Sequence, residues 1–370
     1  MPPIHLLIKP ASGSCNMVCR YCFYRDEVEN RETGLYGIMT DETLENVIRR
    51  TFEFAERECT FAFQGGEPTL AGLPFFRRLV DLVKQWNRKR VKVNYAIQTN
   101  GFCIDREWAE FFRDNRFLVG LSLDGNKEVH DSLRFDRQGK GTFSKVMRAA
   151  QLFDTYRVDY NILTVVTAPL VRSINRVYNF YVRNGFVYQQ YIPCLDAIGE
   201  ERGGRDFSLT PELYGKFLMD LFDLWYMDIK KGKQVSIRYF DNLIMVLRDI
   251  PPEACGMLGC CTIQNVVEAD GEVYPCDFYV LDPYKLGNLN KVGFEEIHQK
   301  RLETGFLQSS LPKPPECRSC IWKNICRGGC RRDRDQFDGG ELGLSYFCES
   351  YKMFFAHAIT RLQELAYGRR

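Results

Sequence analysis

Residues 40–68 have the sequence TDETLENVIRRTFEFAERECTFAFQGGEP, which contains one complete helix–strand unit. Thr40 is placed to cap a helix, and the acidic Asp41 and Glu42 fall in its first turn. Apolar or small side chains then recur at helical spacing on one face, at Leu44, Val47, Ile48, Thr51 and Ala55. A β-type run at residues 60–64 follows and ends at two glycines. The stretch therefore predicts an amphipathic helix that leads into a buried strand.

The same alternation recurs along the first half of the chain. Strand candidates lie at residues 5–9, 60–64, 91–98, 118–123, 158–166 and 186–192. Helical patterns separate them, which indicates βαβ units and a parallel sheet. Because six such units are fewer than the eight of a closed barrel, we predict an α/β fold of the partial (β/α)6 barrel type.

A second region begins after the barrel pattern. Residues 199–205 are polar and glycine-rich, as in a linker, and Thr210 with Pro211 then starts another amphipathic helix. From about residue 237 onward, short strands, turns and cysteines replace the regular periodicity. We predict a barrel domain over residues 1–234 and a cysteine-rich domain over residues 235–370.

The bulk composition is that of an ordinary globular protein. The chain has 370 residues, of which 45% are hydrophobic and 26% charged, with a formal net charge of +2. This balance argues against a nucleic-acid partner, and no apolar run is long enough to span a membrane. The amino terminus lacks the pattern of a signal peptide. We expect a cytoplasmic monomer with no nucleic-acid and no membrane partner.

The fifteen cysteines are clustered, with three in residues 15–22 and nine in residues 255–348. In a large chain without a leader, such clusters indicate metal binding rather than disulfides. The first cluster has the spacing C-x3-C-x2-C, on the loop after the first strand. Three thiolates can hold three irons of a cubane and leave the fourth for a ligand such as S-adenosylmethionine. From the spacing alone, a zinc site that lacks a fourth protein ligand is the alternative.

Three further motifs follow the next predicted strands: Gly-Gly-Glu-Pro at residues 65–68, Gln-Thr-Asn-Gly at 98–101 and Ser-Leu-Asp-Gly at 122–125. Together with the cysteine spacing they closely resemble the radical S-adenosylmethionine superfamily. The resemblance implies reductive cleavage of S-adenosylmethionine and hydrogen abstraction by a 5′-deoxyadenosyl radical. It also implies that Cys15, Cys19 and Cys22 hold the catalytic 4Fe–4S cluster.

The same resemblance implies the residues that bind S-adenosylmethionine. Gly65 and Gly66 would hold the methionyl amine, and Tyr21 would pack near the adenine. The remaining implied contacts are made by Gln98, Ser122, Arg134 and Leu195. For Arg134, a solvated loop arginine is the alternative.

The second cysteine cluster continues as C-x2-C-x5-C-x3-C from residue 317 to residue 330. Eight thiolates would suffice for two cubanes or for two zinc sites. The run resembles the SPASM extension, which implies auxiliary iron–sulfur clusters. The resemblance assigns to the first of them Cys255, Cys261, Cys276 and Cys330. It assigns to the second Cys317, Cys320, Cys326 and Cys348. Cys260, directly before Cys261, makes that ligand ambiguous.

Four arginines lie among these cysteines: Arg327, Arg331, Arg332 and Arg334. They could form a solvated basic surface. Alternatively, they could offset anionic clusters and attract an acidic electron carrier. The sequence leaves both interpretations open.

Nearly the whole chain resembles the anaerobic sulfatase-maturating enzymes, most clearly over residues 61–73, 117–125, 236–241 and 273–278. Those enzymes oxidise a cysteine or serine in a Cys/Ser-x-Pro-x-Arg segment of a sulfatase to Cα-formylglycine. The resemblance implies three 4Fe–4S clusters, a sulfatase substrate and an electron donor of the flavodoxin or ferredoxin type. It also implies that Asp277 is the general base. A turn-forming aspartate is the alternative for that residue.

Two other functions remain possible at this point. A peptide maturase that forms thioether or carbon–carbon cross-links would use the same domains. We expect it to carry a precursor-recognition module, whereas only four residues precede the first predicted strand. An electron-transfer or scaffold protein would not need the two-glycine motif beside an open three-cysteine site.

Overall fold

The structure is a computed structural model and describes residues 3–337 and 339–368. Its strands are β1 (Ile4–Ile8), β2 (Met17–Cys19), β3 (Glu58–Phe63), β4 (Lys92–Thr99), β5 (Phe117–Ser122), β6 (Arg134–Asp136), β7 (Tyr160–Val166), β8 (Tyr188–Pro193), β9 (Ser236–Ile237), β10 (Asn265–Val267), β11 (Glu272–Tyr274) and β12 (Gly287–Asn288). Its α-helices are α1 (Phe23–Glu29), α2 (Asp41–Phe54), α3 (Gly72–Trp86), α4 (Arg106–Asp114), α5 (Lys127–Leu133), α6 (Phe143–Tyr156), α7 (Ala168–Arg172), α8 (Ile174–Arg183), α9 (Pro211–Lys230), α10 (Arg238–Leu247), α11 (Phe294–Glu303), α12 (Pro315–Ser319), α13 (Lys323–Cys326), α14 (Arg331–Arg334) and α15 (Cys348–Tyr367).

The first compact unit comprises residues 3–123, 131–160 and 263–305. Its main sheet has the strand order β12-β11-β10-β1-β3-β4-β5. Strands β10, β1, β3, β4 and β5 run parallel, whereas β11 and β12 are antiparallel to their neighbours. Because the carboxyl ends of parallel strands meet at one edge, the loops after β1, β3, β4 and β5 share that edge.

Alternating burial explains why these segments form strands. In β3, Cys59, Phe61 and Phe63 are buried while the residues between them are half-buried. Helix α2 begins as predicted, because the hydroxyl of Thr40 accepts a hydrogen bond from the backbone N–H of Thr43 at 3.1 Å. Its buried face is Thr43, Leu44, Val47, Ile48, Thr51 and Phe52.

The second compact unit comprises residues 124–130, 161–262, 306–337 and 339–368. Strands β7, β8 and β9 form its parallel part. The predicted helix start at Thr210 is confirmed, since its hydroxyl accepts from the backbone N–H of Leu213 at 3.3 Å. Helix α9 buries Phe217, Leu218, Leu221, Phe222 and Trp225, and it packs against α15.

All six predicted strands are present, with ends displaced by no more than two residues, so the α/β class with a parallel sheet is confirmed. Helices α10 and α11 were not predicted, because short strands, turns and cysteines were expected from about residue 237 onward. The division between residues 234 and 235 stays a prediction. In the part of the chain that the structure describes, no helix is long and apolar enough to cross a membrane.

Candidate active site and cluster ligands

The three-cysteine loop follows β1 and leads into α1. Cys19 lies in β2 opposite Arg134 of β6, and Cys22 occupies the N-cap position of α1. The guanidinium of Arg137 holds the backbone carbonyl of Cys15 with two hydrogen bonds of 3.1 and 2.6 Å. All three thiols are half-buried, and burial raises the pKa of Cys15 to about 11. Because burial disfavours the thiolate, a bound metal is needed to keep this thiol deprotonated near neutral pH.

The two-glycine turn after β3 packs against this loop. Backbone N–H groups of Gly66 and Glu67 donate to the carbonyl oxygens of Ser12 and Ser14 at 2.9 and 2.8 Å. A Cβ on Gly66 would overlap the carbonyl oxygen of Ser14, and Gly65 has a φ of +114°. Glycine is therefore needed here so that the end of β3 can approach the backbone before Cys15. The predicted contact of Gly65 and Gly66 with S-adenosylmethionine stays a prediction.

The carboxylate of Glu67 ties this turn to the end of β4. It is buried and accepts hydrogen bonds from the Thr99 hydroxyl at 2.8 Å and from the Asn100 backbone at 2.7 Å. Burial raises the pKa of Glu67. The side-chain amide of Asn100 then donates to Asn16, beside Cys15, at 2.8 Å. No role was predicted for Glu67, although an acidic residue directly after two glycines at a strand end could have suggested one.

Two of the predicted S-adenosylmethionine contacts lie together. The Arg134 guanidinium donates to the Tyr21 hydroxyl at 2.8 Å. Arg134 is only 6% exposed, so the solvated-arginine alternative is wrong. Gln98 lies in β4 and Ser122 ends β5, and both are half-buried. Leu195 follows β8 in the second unit and lines a cavity of about 440 Å³ there.

Asp277 lies in a polar cluster inside the first unit and is 9% exposed. Its Oδ2 atom accepts hydrogen bonds from the Tyr24 hydroxyl at 2.7 Å and from the Gln64 amide at 3.0 Å. Its Oδ1 atom lies 3.4 Å from Nζ of Lys9 and accepts no hydrogen bond from the described residues. One oxygen is thus held by two hydrogen bonds, while the other faces the Lys9 ammonium.

Lys9 and Glu27 complete this cluster. Nζ of Lys9 lies 2.9 Å from Oε2 of Glu27, and both side chains are almost fully buried. Burial is the main cause that raises the pKa of Glu27; Lys9 lowers it, the charge of Asp277 raises it, and the net result is a pKa of about 7. Burial alone would lower the pKa of Lys9, but the carboxylates of Glu27 and Asp277 raise it above its ordinary value. The Lys9 ammonium is therefore paired with two buried carboxylates.

The residues around Asp277 were missed in the sequence. Lys9 directly follows the apolar run of β1. A lysine is seldom buried unless it is paired, so its position beside a buried strand could have suggested an ion pair. Tyr24 and Gln64 each lie two residues or fewer from a predicted site residue, Cys22 and Gly65. Their closeness in sequence to these predicted residues could have suggested that Tyr24 and Gln64 belong to the site.

The predicted cluster ligands of the second unit fall into two groups. The Cys261 thiol has its pKa raised by burial and then by the nearby Cys255 and Cys260. A Cβ on Gly256, directly after Cys255, would lie 3.4 Å from Cβ of Cys330. Three ligands predicted for the first auxiliary cluster are thus neighbours. Cys276 is half-buried in the first unit, and its assignment to that cluster stays a prediction.

The second group consists of Cys317, Cys320, Cys326 and Cys348, which line a cavity of about 490 Å³. The pKa of Cys326 is raised to about 11, mainly by burial and in smaller part by the charges of the other three cysteines. Cys260 lines the same cavity. The structure therefore brings together the four ligands predicted for the second auxiliary cluster and places Cys260 beside them.

Two of the four arginines among these cysteines are buried and hydrogen-bonded inside the second unit. Arg334 is 1% exposed and donates to the carbonyl oxygens of Ser310, Pro312 and Gly343. Arg332 is 7% exposed and donates to the carbonyl of Asp196 at 3.1 Å. The interpretation of a solvated basic surface is therefore wrong for Arg332 and Arg334. Arg327 is half-buried and lines the cavity of the second cysteine group.

A three-cysteine loop beside a two-glycine turn, at the carboxyl edge of a parallel sheet, is the arrangement that defines the radical S-adenosylmethionine class. The three soft sulfur donors of Cys15, Cys19 and Cys22 fit a cubane that has one open iron. The Radical SAM superfamily model matches residues 10–176, and the model of the SPASM iron-sulfur cluster-binding domain matches residues 260–321.

Comparison with individual proteins is more specific. The chain is 50% identical to the "Cysteine-type anaerobic sulfatase-maturating enzyme" of Clostridium perfringens, over 99% of both chains. It is 32% identical to the "Serine-type anaerobic sulfatase-maturating enzyme" of Bacteroides thetaiotaomicron, over 96% of this chain and 89% of that one. The solved structure of native anSMEcpe with bound AdoMet and Cp18Cys peptide matches with a TM-score of 0.94, 49% identity and 99% coverage of both chains.

The chain belongs to the anaerobic sulfatase-maturating enzymes of the radical SAM superfamily. The family predicted from the sequence is confirmed. The predicted cofactors are also confirmed: S-adenosylmethionine, the catalytic iron–sulfur cluster and auxiliary iron–sulfur clusters. The cross-linking maturase is not favoured, and the scaffold function is excluded because the relatives of this chain are enzymes.

Proposed function

We propose that this protein oxidises the active-site cysteine of a sulfatase to Cα-formylglycine, within a Cys-x-Pro-x-Arg segment. The observation that carries the proposal is the full-length match, at 50% identity, to a relative named as cysteine-type. The relative named as serine-type is only 32% identical, which favours cysteine over serine as the residue oxidised here. The peptide in the solved structure of anSMEcpe supports a peptide substrate.

When bound, the catalytic cluster and S-adenosylmethionine supply a 5′-deoxyadenosyl radical that removes one hydrogen atom from the substrate Cβ. The substrate must then lose the S–H proton and one electron, which an auxiliary cluster would accept, to become a thioaldehyde. Water would convert the thioaldehyde to the aldehyde with release of hydrogen sulfide. Asp277 is the proton acceptor in this proposal. Tyr24 and Gln64 orient its Oδ2 atom, and Oδ1 is the oxygen that takes the proton. The cluster around Lys9 is buried, which keeps bulk water from competing for the proton.

The residue assignments belong to the same proposal. Cys15, Cys19 and Cys22 hold the catalytic cluster, and the two predicted sets of four cysteines hold two auxiliary clusters. Tyr21, Arg134 and the other predicted residues contact S-adenosylmethionine. A flavodoxin- or ferredoxin-type protein supplies electrons, and the enzyme acts as a monomer.

The test is anaerobic incubation of the reconstituted protein with matched Cys-x-Pro-x-Arg and Ser-x-Pro-x-Arg peptides. We expect the cysteine peptide to lose sulfur and gain a carbonyl that reacts with a hydrazide, at a higher rate than the serine peptide. A cross-linking enzyme would instead keep the sulfur and give a product inert to hydrazide. Release of 5′-deoxyadenosine without a carbonyl from either peptide would refute the proposal.

A further inference from the structure

Two cations of the second unit lie among its cysteines and share one backbone acceptor. Nζ of Lys313 and Nη1 of Arg334 both donate to the carbonyl oxygen of Ser310, at 3.2 and 3.1 Å. Ser310 is almost fully buried, and its hydroxyl accepts a hydrogen bond from the backbone N–H of Cys261 at 2.9 Å. We call Lys313 and Arg334 the cation pair. The pair is therefore fixed beside a predicted ligand of the first auxiliary cluster.

The cation pair also lies beside ligands predicted for the second auxiliary cluster. Lys313 lines the cavity of the second cysteine group together with Cys317. Burial lowers the pKa of both cations, whereas negative charge on Cys317 and Cys261 acts in the opposite direction on both of them. Such an electrostatic effect fades with distance, so each cation lies near one predicted ligand of each cluster. The structure thus places two positive charges close to both ligand sets.

The hydrogen-bond acceptors of the cation pair do not neutralise its charge. Arg334 is 1% exposed, and all its hydrogen bonds in the described part of the chain go to backbone carbonyls. Lys313 is half-buried and donates to the carbonyls of Gly259 and Ser310. A carbonyl has no net charge, so burying a cation among carbonyls alone costs free energy. Anionic clusters on the neighbouring cysteines would supply the missing counter-charge.

We propose that the cation pair raises the reduction potentials of the two auxiliary clusters and so makes them better acceptors of the substrate's electron. The proposal rests on the proposed function, because that function places both clusters on these cysteines. A cubane held by four thiolates is anionic and becomes more negative when it gains an electron. A fixed positive charge nearby therefore stabilises the reduced form more than the oxidised form. Lys313 and Arg334 act on the reaction only through the clusters and are positioning residues.

The test variant is Lys313→Gln, which removes one charge of the pair and keeps a hydrogen-bond donor. The reconstituted holoenzyme is titrated with a chemical reductant and followed by EPR, with S-adenosylmethionine added so that the catalytic cluster is recognised by its altered signal. We expect the ratio of reduced to oxidised auxiliary clusters at a fixed potential to fall about tenfold. Lys313→Arg keeps the charge, so this ratio should stay within about twofold of wild type.

Lys323→Gln is the matched control, since Lys323 lines the same cavity but is exposed. It loses the same charge through the same substitution, and water and salt screen an exposed charge more strongly than a buried one. We expect its ratio of reduced to oxidised auxiliary clusters to change by less than about twofold. An equal shift in Lys313→Gln and Lys323→Gln, or a rise of the ratio in Lys313→Gln, would overturn the proposal.

Iron content is measured for each variant, so that loss of a cluster is distinguished from a change of its potential. If Lys313→Gln loses iron, Arg334→Gln becomes the deciding variant. Loss of iron from both would overturn the proposal, because the cations would then be needed for cluster assembly. Cys317→Ala tests the proposed function separately and should lose about four irons per chain. Full iron in Cys317→Ala would refute that cluster assignment, whereas an unchanged ratio in Lys313→Gln with full iron would refute only the role of the cation pair.

Discussion

Nζ of Lys9 lies 3.4 Å from Oδ1 of Asp277, in a part of the first unit where the Lys9 side chain is 3% exposed. The same Nζ atom lies 2.9 Å from Oε2 of Glu27. A buried cation shared between two carboxylates cannot be removed without leaving uncompensated charge. Lys9 therefore acts as a positioning residue that holds Asp277 in its orientation.

Replacing Lys9 by methionine should destabilise the protein by about 3–5 kcal/mol, because two buried carboxylates lose their shared cation. It should also lower the yield of carbonyl product per 5′-deoxyadenosine formed. Chemical unfolding under anaerobic conditions measures the first effect, and product analysis measures the second. The control is Lys92→Met, since Lys92 is 70% exposed in its pair with Glu58 and should cost less than about 1 kcal/mol. Equal stability of the two variants would contradict the role given to Lys9.

Asp277→Asn preserves the size of the side chain but removes the proton acceptor. We expect 5′-deoxyadenosine to form still, while the carbonyl product falls by about 100-fold, because proton removal follows radical formation. Asp282→Asn is the control, as Asp282 accepts a hydrogen bond from the Glu32 backbone at 2.8 Å and lies outside the cluster around Lys9. Wild-type product yield from Asp277→Asn would show that Asp277 is structural.

Gly66→Ala should displace the loop before Cys15, because the new Cβ would overlap the carbonyl oxygen of Ser14. Both groups belong to the backbone or are fixed to it, so neither can rotate away. The expected result is loss of about one cluster's iron and of S-adenosylmethionine binding. Gly343→Ala is the matched control, since its nearest neighbour would be 3.9 Å away. Normal iron content in Gly66→Ala would show that the loop tolerates the shift.

The pair Cys260→Ser and Cys261→Ser tests which adjacent thiol is a ligand. Cys261 lies near Cys255, whereas Cys260 lines the cavity of the second group. We expect Cys261→Ser to lose about four irons per chain and Cys260→Ser to keep the full content. Iron analysis with EPR spectroscopy separates the two outcomes. The opposite result would reassign the ligand to Cys260.

Glu27 should make stability depend on pH. Its pKa is raised from the ordinary value of 4.5 to about 7, so the folded protein binds a proton that the unfolded chain releases between these values. The stabilisation is fully present below pH 4.5 and is lost as the pH rises through about 7. Glu27→Gln removes this titration, so its melting temperature relative to wild type should rise between pH 5.5 and about 7.5. A constant difference across that range would show that Glu27 does not titrate there.

Local sequence determined the α/β class and the cluster motifs. The alternation of strand and helix periods, the caps at Thr40 and Thr210 and the spacing of Cys15, Cys19 and Cys22 each depend on residues within one or two turns of each other. Such patterns are visible in sequence because the backbone geometry of a helix, strand or tight loop relates only near neighbours. The predicted strand ends accordingly differ from the observed ones by no more than two residues.

Only the tertiary structure decided what surrounds Asp277 and which arginines are buried. Tyr24 and Gln64 reach Asp277 across 253 and 213 residues of chain, and Glu27 meets Lys9 across 18. Arg332 and Arg334 have the same local spacing as solvated arginines, yet backbone carbonyls from other loops bind and bury them. A buried charge is stable only where distant parts of the chain supply its partners. Local periodicity relates only residues that are near in sequence, so the partners of these buried charges are identified only by the three-dimensional fold.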